Sequence, residues 1–524
     1  MKKTIVALTG ASGNMGRECL AELMKSDAVD KVKILVTSVS KDRRFAADAK
    51  KRYGEKLVVV VGNLKDKRSC KTLIEGSDYV FHTAALIPPL SDRNAAETYA
   101  VNFGGTRNMV DAVCETAGKQ PKFVHVSTVA LYGHRNYLHP WGRVGDPLLP
   151  SVYDVYAASK LKAERYVLDS PLNCWAVIRQ TAMLHYNMMK DNMSDGLMFH
   201  TCVNVPLEWS TSRDSGYLVR RIVEKDIEDG AEKFWKRCHN IAGGESNRVT
   251  GYDTYDKLLR TIGTETEKVM RPVWHSVRNF HGLWFADGDE MNDMFGYCRD
   301  NMDDFCAEIV KRHPVYKIAG LIPSKVISEI GFKRLLKHFN SPMEWVKKGD
   351  EGRTRAFFGS KDNIRFAYRD WEGFPVLAKG EIADGNIDYD AIRKTENIAK
   401  FGYLLDHGYD ESKPDEELDI EDMRAAAAFR GGECLSPAMK KGDLYTKLEW
   451  RCHDGHVFYA SPYTVLKAGH WCPTCCQPQP WDFDRLAKFM PFYAQVWYDT
   501  HAKGENTEYF LGGKNGDKAL YRRY

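Results

Sequence analysis

The sequence predicts an α/β protein: a doubly wound parallel sheet carrying a substrate-binding lobe, then a helical, aromatic-rich middle region and a small C-terminal metal module. Three observations carry that reading. An apolar run, Lys3 to Leu8, leads straight into Thr9-Gly10-Ala11-Ser12-Gly13-Asn14-Met15-Gly16. A tyrosine and a lysine stand four apart in Tyr156-Ala157-Ala158-Ser159-Lys160. Five of the 13 cysteines fall between Cys434 and Cys476.

The first element reads as a buried strand, and Arg17 to Met24 after it reads as a helix. Between them Gly10 permits a tight turn, Gly13 lets backbone approach a pyrophosphate, and Gly16 lets the helix pack on the strand. The helix N-terminus offers N–H groups and partial positive charge to phosphates. Gly10, Ser12, Gly13, Asn14, Met15 and Gly16 are therefore the expected dinucleotide cradle. The second strand is expected at Val32 to Val36. An acidic residue near its end would hold a ribose 2′-OH. The chain instead runs Thr37-Ser38-Val39-Ser40-Lys41-Asp42-Arg43-Arg44, with hydroxyls and bases clustered and no acid at the expected place. Ser38, Lys41, Arg43 and Arg44 suit a 2′-phosphate, which favours NADP over NAD. The competing reading is a solvated basic loop.

Lys122 to Val126 reads as another buried strand, ending in Ser127-Thr128-Val129-Ala130-Leu131-Tyr132-Gly133. On a helix, Tyr156 and Lys160 share a face. A phenol titrates near 10, and an adjacent ammonium favours the phenolate. Tyr156 can then move a hydroxyl proton while hydride moves to or from a nicotinamide. Thr128 would hydrogen-bond the substrate oxygen, and Lys160 would hold the nicotinamide ribose. Tyr153 is the competitor, but its i+4 residue is Ala157.

These stretches resemble the extended short-chain dehydrogenase/reductase family, also called the NAD-dependent epimerase/dehydratase family. Further matching stretches are Val80-Phe81-His82-Thr83-Ala84-Ala85, Val101-Asn102-Phe103-Gly104-Gly105-Thr106-Arg107-Asn108 and Asn240-Ile241-Ala242-Gly243-Gly244. The resemblance covers about residues 1–265, with the substrate lobe mainly in 180–265. It implies a Rossmann fold, cofactor contacts at Asn63, Leu64 and Ala84, and a role for Asn102 in a proton relay through Lys160. Three departures stand out. Asn63 replaces the usual Asp. Gln180 follows Arg179 where Pro is usual. Val129-Ala130 replaces the acidic pair of dehydratases, which leaves oxidoreduction or epimerisation. His82 to Pro89 and the Asn102 motif look most like the hydroxysteroid dehydrogenase and dihydroflavonol reductase branch. The expected lid, His185 to Trp209, carries Met188, Met189, Met193, Met198, Phe199 and Trp209, which suits an apolar alcohol or ketone; the alternative is plain packing.

At 524 residues the chain has room for several domains. Lys plus Arg number 75 against 71 acidic residues, a net +4 that demands no nucleic acid. No apolar run approaches the roughly 18 residues of a span, so no membrane is expected. Lys2-Lys3 and the short apolar run mimic a signal peptide but read as strand one. A cytoplasmic location and reduced core thiols follow. A homo-oligomer is compatible with the sequence.

Cys472 and Cys475 form a C-x-x-C knuckle, and Cys452 and His456 form a second pair around Gly455. Two such pairs about 15 residues apart have the spacing of a tetrahedral, structural zinc site. Cys434 competes with His456 as fourth ligand. The stretch resembles a treble-clef or zinc-ribbon module within 431–524, followed by a helix from Asp482. Basic residues there are offset by acidic ones, so no nucleic-acid stripe is read. Residues 266–430 resemble no named family. The leading expectation is an NADP-dependent oxidoreductase for a small-molecule secondary alcohol or ketone. The alternatives are a sugar-nucleotide epimerase with bound NAD, and a dinucleotide-sensing scaffold with a zinc partner-binding module.

Overall fold

Short apolar runs separated by helices build the centre of the molecule. The computed structural model describes residues 4–136, 138–360, 369–372, 374, 404–477 and 481–510. The strands of the first half are β1 (Thr4–Thr9), β2 (Val29–Val36), β3 (Leu57–Val61), β4 (Tyr79–His82), β5 (Lys122–Thr128), β6 (Trp141–Gly142), β7 (Trp175–Gln180), β8 (Ala182–Leu184), β9 (Pro206–Thr211) and β10 (Arg237–Ile241). Seven of them form one sheet in the order β10-β7-β5-β4-β1-β2-β3, with every neighbouring pair parallel. This is a Rossmann-like α/β fold. Val6, Ala7 and Leu8 are fully buried, as expected where helices cover both faces of a parallel sheet. Strand order reverses between β1 and β4. A ligand crevice opens at such a switch point, beyond the carboxyl ends of the strands.

Helix α1 (Asn14–Lys25) follows β1 and packs against the helix Ser212–Asp229. Gly216 makes the close approach: a Cβ there would lie 2.6 Å from the Glu18 carbonyl carbon. The lobe is a small sheet in which β9 is flanked by β8 and by β11 (Arg248–Thr250). Its apolar face meets the helix Met302–Arg312, whose Met302, Phe305, Cys306 and Ile309 recur at helical spacing.

The middle region is made of short helices up to residue 360 rather than long ones. Its aromatics are largely core: Trp274, Trp284, Phe285, Phe295, Trp345 and Phe357 are all buried. The C-terminal segment holds an antiparallel sheet of β12 (Glu433–Cys434), β13 (Leu448–Arg451) and β14 (Val457–Ala460), and the helices Phe483–Phe489 and Pro491–Trp497. One apolar cluster runs across the three sequence segments 1–265, 266–430 and 431–524, joining Phe123 and Trp175 to Trp345 and Phe357 and to Trp450 and Trp471. Among the described residues, no helix is long and apolar enough to cross a membrane.

Candidate functional site

Glycine geometry shapes the crevice between β1 and β4. Gly10 has φ +72°, and a Cβ there would lie 2.8 Å from Thr83 Oγ1 and 2.9 Å from Ala84 Cα. A Cβ on Gly16 would lie 2.0 Å from the Gly10 carbonyl oxygen. A Cβ on Gly13 would meet only that same oxygen, at 3.3 Å, so its outer side is open to a ligand. Helix α1 starts at Asn14 without a side-chain cap, which leaves its first-turn N–H groups, including those of Asn14, Met15 and Gly16, for a phosphate. The Ala84 N–H donates to Thr9 Oγ1 (3.2 Å), pinning the end of β4 to the end of β1. After β3, Asn63 Oδ1 accepts from the Lys65 N–H (2.9 Å), and buried Leu64 follows.

The end of β2 differs from the sequence expectation. The stretch 37–44 is not a loop throughout: helix α2 (Ser40–Tyr53) begins inside it. That turn brings back an acid, Asp42, whose carboxylate accepts from Thr37 Oγ1 (2.6 Å) and the Thr37 N–H (3.2 Å). Burial pushes the Asp42 carboxyl up, but hydrogen bonds from Thr37 and Ser12 outweigh it and hold it below the ordinary range. Sequence reasoning missed Asp42 because only the helical turn returns it to the strand end. Ser38, Lys41, Arg43 and Arg44 are exposed around it.

Tyr156 sits in the first turn of the helix Val155–Asp169, which Asp154 caps by accepting from the Ala157 N–H (2.8 Å). Thr128, at the end of β5, stands close enough to the phenol for its hydroxyl to favour the phenolate, while its Oγ1 accepts from the Ala130 N–H (3.2 Å). The expectation that Lys160 makes this phenol more acidic is reversed. Burial pushes Tyr156 up to about 12, against the pull of the Thr128 hydroxyl and with the Asp154 charge adding to the rise. The reason is where Lys160 points. Its Nζ donates to the Val126 carbonyl (2.7 Å) and lies 3.1 Å from His125 Nε2, so its hydrogen bonds go to β5 and not to Tyr156. Burial lowers Lys160 to about 7, against the pull of Glu164. Asn102 Nδ2 donates to the Leu86 carbonyl and to Ser159 Oγ (both 3.0 Å), and its Oδ1 accepts from the Leu86 N–H (2.7 Å). Asn102 thus reaches the residue before Lys160. Tyr153 packs against Trp481 and Tyr509 (centroids 5.8 and 6.0 Å).

Tyr156 lines a cavity of about 300 Å³. Its wall draws Met188, Met198 and Trp209 from the expected lid. The other expected lid residues pack elsewhere: Phe199 is fully buried against Trp274 and His275, and Met189 and Met193 join neighbouring apolar clusters. The middle region supplies Phe280, Trp345, Arg353 and Phe357. No motif marks these residues, so sequence reasoning could not assign them to the cavity. Asp92 also lines it, and burial with help from Asp154 and Asp195 pushes its carboxyl up to about 7.

In the C-terminal segment the ligand atoms of Cys452, His456, Cys472 and Cys475 all lie within 4.8 Å of one another. Cys452 Sγ and Cys472 Sγ stand 3.4 and 3.7 Å from His456 Nδ1. A tetrahedron with zinc–sulfur bonds of about 2.3 Å has edges of roughly 3.5–3.8 Å, so the donor set fits that ion. Cys434 is not in the group. All 13 cysteines are free of disulfides. This segment docks on the Tyr156 helix through fully buried charges: Glu164 accepts from Arg179 (2.6 Å) and Ser127 (2.5 Å) and pairs with His470 (3.0 Å). Arg179 also donates to the Ala468 carbonyl (2.7 Å), and Arg165 to the Trp471 carbonyl (2.8 Å).

With the glycine crevice and the Tyr156–Lys160 helix turn on one sheet, comparison with known proteins is informative. Residues 6–172 match the NAD dependent epimerase/dehydratase family. The 3 beta-hydroxysteroid dehydrogenase/Delta 5-->4-isomerase of Mycobacterium tuberculosis is 34% identical over 132 residues, 22% of this chain and 34% of that protein. The UDP-glucose 4-epimerase of Rickettsia massiliae is 29% identical over 128 residues, 24% of this chain and 36% of that protein. The chain thus spans about a third of the length of these curated relatives. A solved UDP-glucose-4-epimerase from Stenotrophomonas maltophila, with bound NAD and formylated UDP-arabinopyranose, has a TM-score of 0.47 at 15% identity, covering 61% of this chain and all of that one.

Proposed function

We propose that this chain is an NAD(P)-dependent oxidoreductase that moves a hydride between NADP(H) and an apolar secondary alcohol or ketone. The observation that carries the reading is the place of Tyr156: near Thr128 at the end of β5, and on the wall of a cavity lined by Met188, Met198, Leu207, Trp209 and Leu258. The nicotinamide, when bound, supplies the hydride chemistry. Gly10, Ser12, Gly13, Asn14, Met15 and Gly16 would hold the pyrophosphate, and Asn63, Leu64 and Ala84 would line the crevice. Asp42 is already hydrogen-bonded to Thr37, so Ser38, Lys41 and Arg43, with Arg44, are the groups left to meet a 2′-phosphate. That favours NADP, although NAD fits the same cradle.

Tyr156 is the acid/base. A phenol held protonated by burial donates to a developing alkoxide, which suits carbonyl reduction near neutral pH. Thr128 orients the same substrate oxygen. Lys160 would turn from β5 to the nicotinamide ribose, and Asn102, through Ser159, fixes the helix turn from which it does so. A sugar-nucleotide substrate is less well matched. The cavity wall contains one arginine, Arg353, and its guanidinium is paired with Asp350 (2.8 Å). The reading is tested by following nicotinamide absorbance with both cofactors against a panel of apolar ketones and alcohols and of sugar nucleotides. Turnover of the sugar nucleotides alone would reject it. We further propose that Cys452, His456, Cys472 and Cys475 hold one zinc ion. Four protein ligands leave no open position, so the ion's role is structural.

A further inference from the structure

Large apolar side chains that face solvent are mostly scattered singly on this protein, which is ordinary. One stretch of the middle region departs from that. Val315, Ile318, Leu321, Ile322, Val326 and Ile330 lie within sixteen residues and are 39–85% exposed. The backbone arranges them. Pro314–Leu321 is a 3₁₀ helix, and with three residues per turn Val315, Ile318 and Leu321 stack into one ridge. Val326 and Ile330 continue it four residues apart, on the helical turns that follow. The other side of the segment is anchored. Phe332 and Leu335 are buried among Met198, Phe199, Tyr255 and Leu259. A Cβ on Gly263 would come within 2.7 Å of Gly320 Cα, so the segment lies tight on the lobe.

Charge singles out the same stretch. Residues 311–339 contain seven Lys or Arg and one acid, Glu329, a net +6 in a chain whose total is +4. Arg312 and Lys333 pair with Glu308 and Glu329. Lys317, Lys325, Arg334 and Lys337 have no carboxylate within ion-pair distance among the described residues.

We propose that this ridge docks the protein on the surface of an anionic phospholipid bilayer, with the apolar side chains at the headgroup–acyl boundary and the lysines on lipid phosphates. An apolar ridge flanked by basic residues has the composition of an interfacial element, and each base near an anionic surface adds attraction. Lysine is depleted where proteins bind proteins, so lipid is the better match. That no helix among the described residues is long and apolar enough to cross a membrane does not bear on this, because surface contact needs none. The segment packs behind the Tyr156 cavity and does not line it: its Phe332 and Leu335 share an apolar cluster with Met198 and Tyr255, which do line the cavity. The docking does not rest on the substrate proposed above.

The test is co-sedimentation of the full chain with phosphatidylcholine vesicles, with and without phosphatidylglycerol. The wild type is expected to sediment with the anionic vesicles and to be released by salt. Ile318→Ser with Leu321→Ser, and Lys317→Glu with Lys325→Glu, should each weaken binding about tenfold or more, with cofactor affinity by calorimetry unchanged as the control for folding. A wild type that stays in the supernatant, equal binding by the variants, or equal binding to neutral vesicles would overturn the proposal. So would light scattering that shows two copies of the chain joined through the ridge and separated by the serine variants. Because no readout uses turnover, failure here is distinct from failure of the proposed reaction.

Discussion

Lys160 Nζ lies 3.1 Å from His125 Nε2, with both side chains buried against β5. Burial lowers both groups, His125 well below its ordinary value and Lys160 to about 7. His82 lies tilted beside His125, with ring centroids 5.6 Å apart, and is hydrogen-bonded to Thr9 and Thr106. Two imidazoles and one amine thus share a site where a positive charge is costly, and the charge of Glu164 counters part of that cost at Lys160.

A stability prediction follows from the sign of that shift. Between about pH 7 and the ordinary lysine value near 10.4, the unfolded chain binds one proton more at Lys160 than the folded chain. This side chain therefore makes stability rise as pH rises through that window. Urea midpoints at about pH 7 and about pH 9 should show a gain for the wild type relative to Lys160→Met. The same pH response in both proteins would remove the buried, neutral lysine from the account.

The Glu164–Arg179–His470 cluster joins the Tyr156 helix to the C-terminal segment at full burial. Removing one member leaves an uncompensated buried charge, which costs about 3–5 kcal/mol. Glu164→Gln should therefore lower the urea midpoint sharply, and Glu164→Gln with Arg179→Met should recover part of the loss. A neutral single variant would show the cluster to be incidental to stability.

Metal removal gives a third expectation. Structural zinc contributes folding energy directly. Protein purified without an affinity tag should carry one zinc per chain. Cys472→Ser should lose the zinc and increase hydrogen exchange from about residue 430 onward. The shared core with Trp175 and Phe123 predicts that looseness also reaches the Tyr156 helix. Substoichiometric zinc, with Cys472 and Cys475 freely alkylated in the native protein, would contradict this.

Cofactor choice is a fourth. Hydrogen bonds between charged groups are worth about 1.5–3 kcal/mol, so Lys41→Ala with Arg43→Ala should weaken NADP binding at least about tenfold and leave NAD nearly unchanged. Calorimetry with both cofactors decides it. Tighter NAD binding by the wild type would assign the β2 end to Asp42 instead.

Local spacing carried the legible parts of this site. Gly10 and Gly16 sit where any Cβ would strike backbone, and the order strand–glycine–helix shows that without coordinates. The Cys452–His456 and Cys472–Cys475 pairs are each closed by a tight turn, so their meeting was readable too. The direction of Lys160 was not, because His125 reaches its helix from β5 and histidine in a buried strand carries no mark. Asp42 was missed because the start of α2, not the strand, returns it. The cavity wall was beyond reach for the same reason on a larger scale: Tyr156, Trp209 and Arg353 lie far apart in the chain and converge only through the shared core.

The central claim is that Tyr156 moves the proton in a nicotinamide-dependent reduction within the apolar cavity. The direct test is single-turnover oxidation of NADPH by an apolar ketone, followed by nicotinamide absorbance for the wild type and for Tyr156→Phe. The account predicts turnover by the wild type, a rate about 10²–10⁴ lower in the variant, and nearly equal cofactor affinity for the two. A variant as fast as the wild type, or a wild type that oxidises neither NADPH nor NADH with any ketone of the panel, would contradict it.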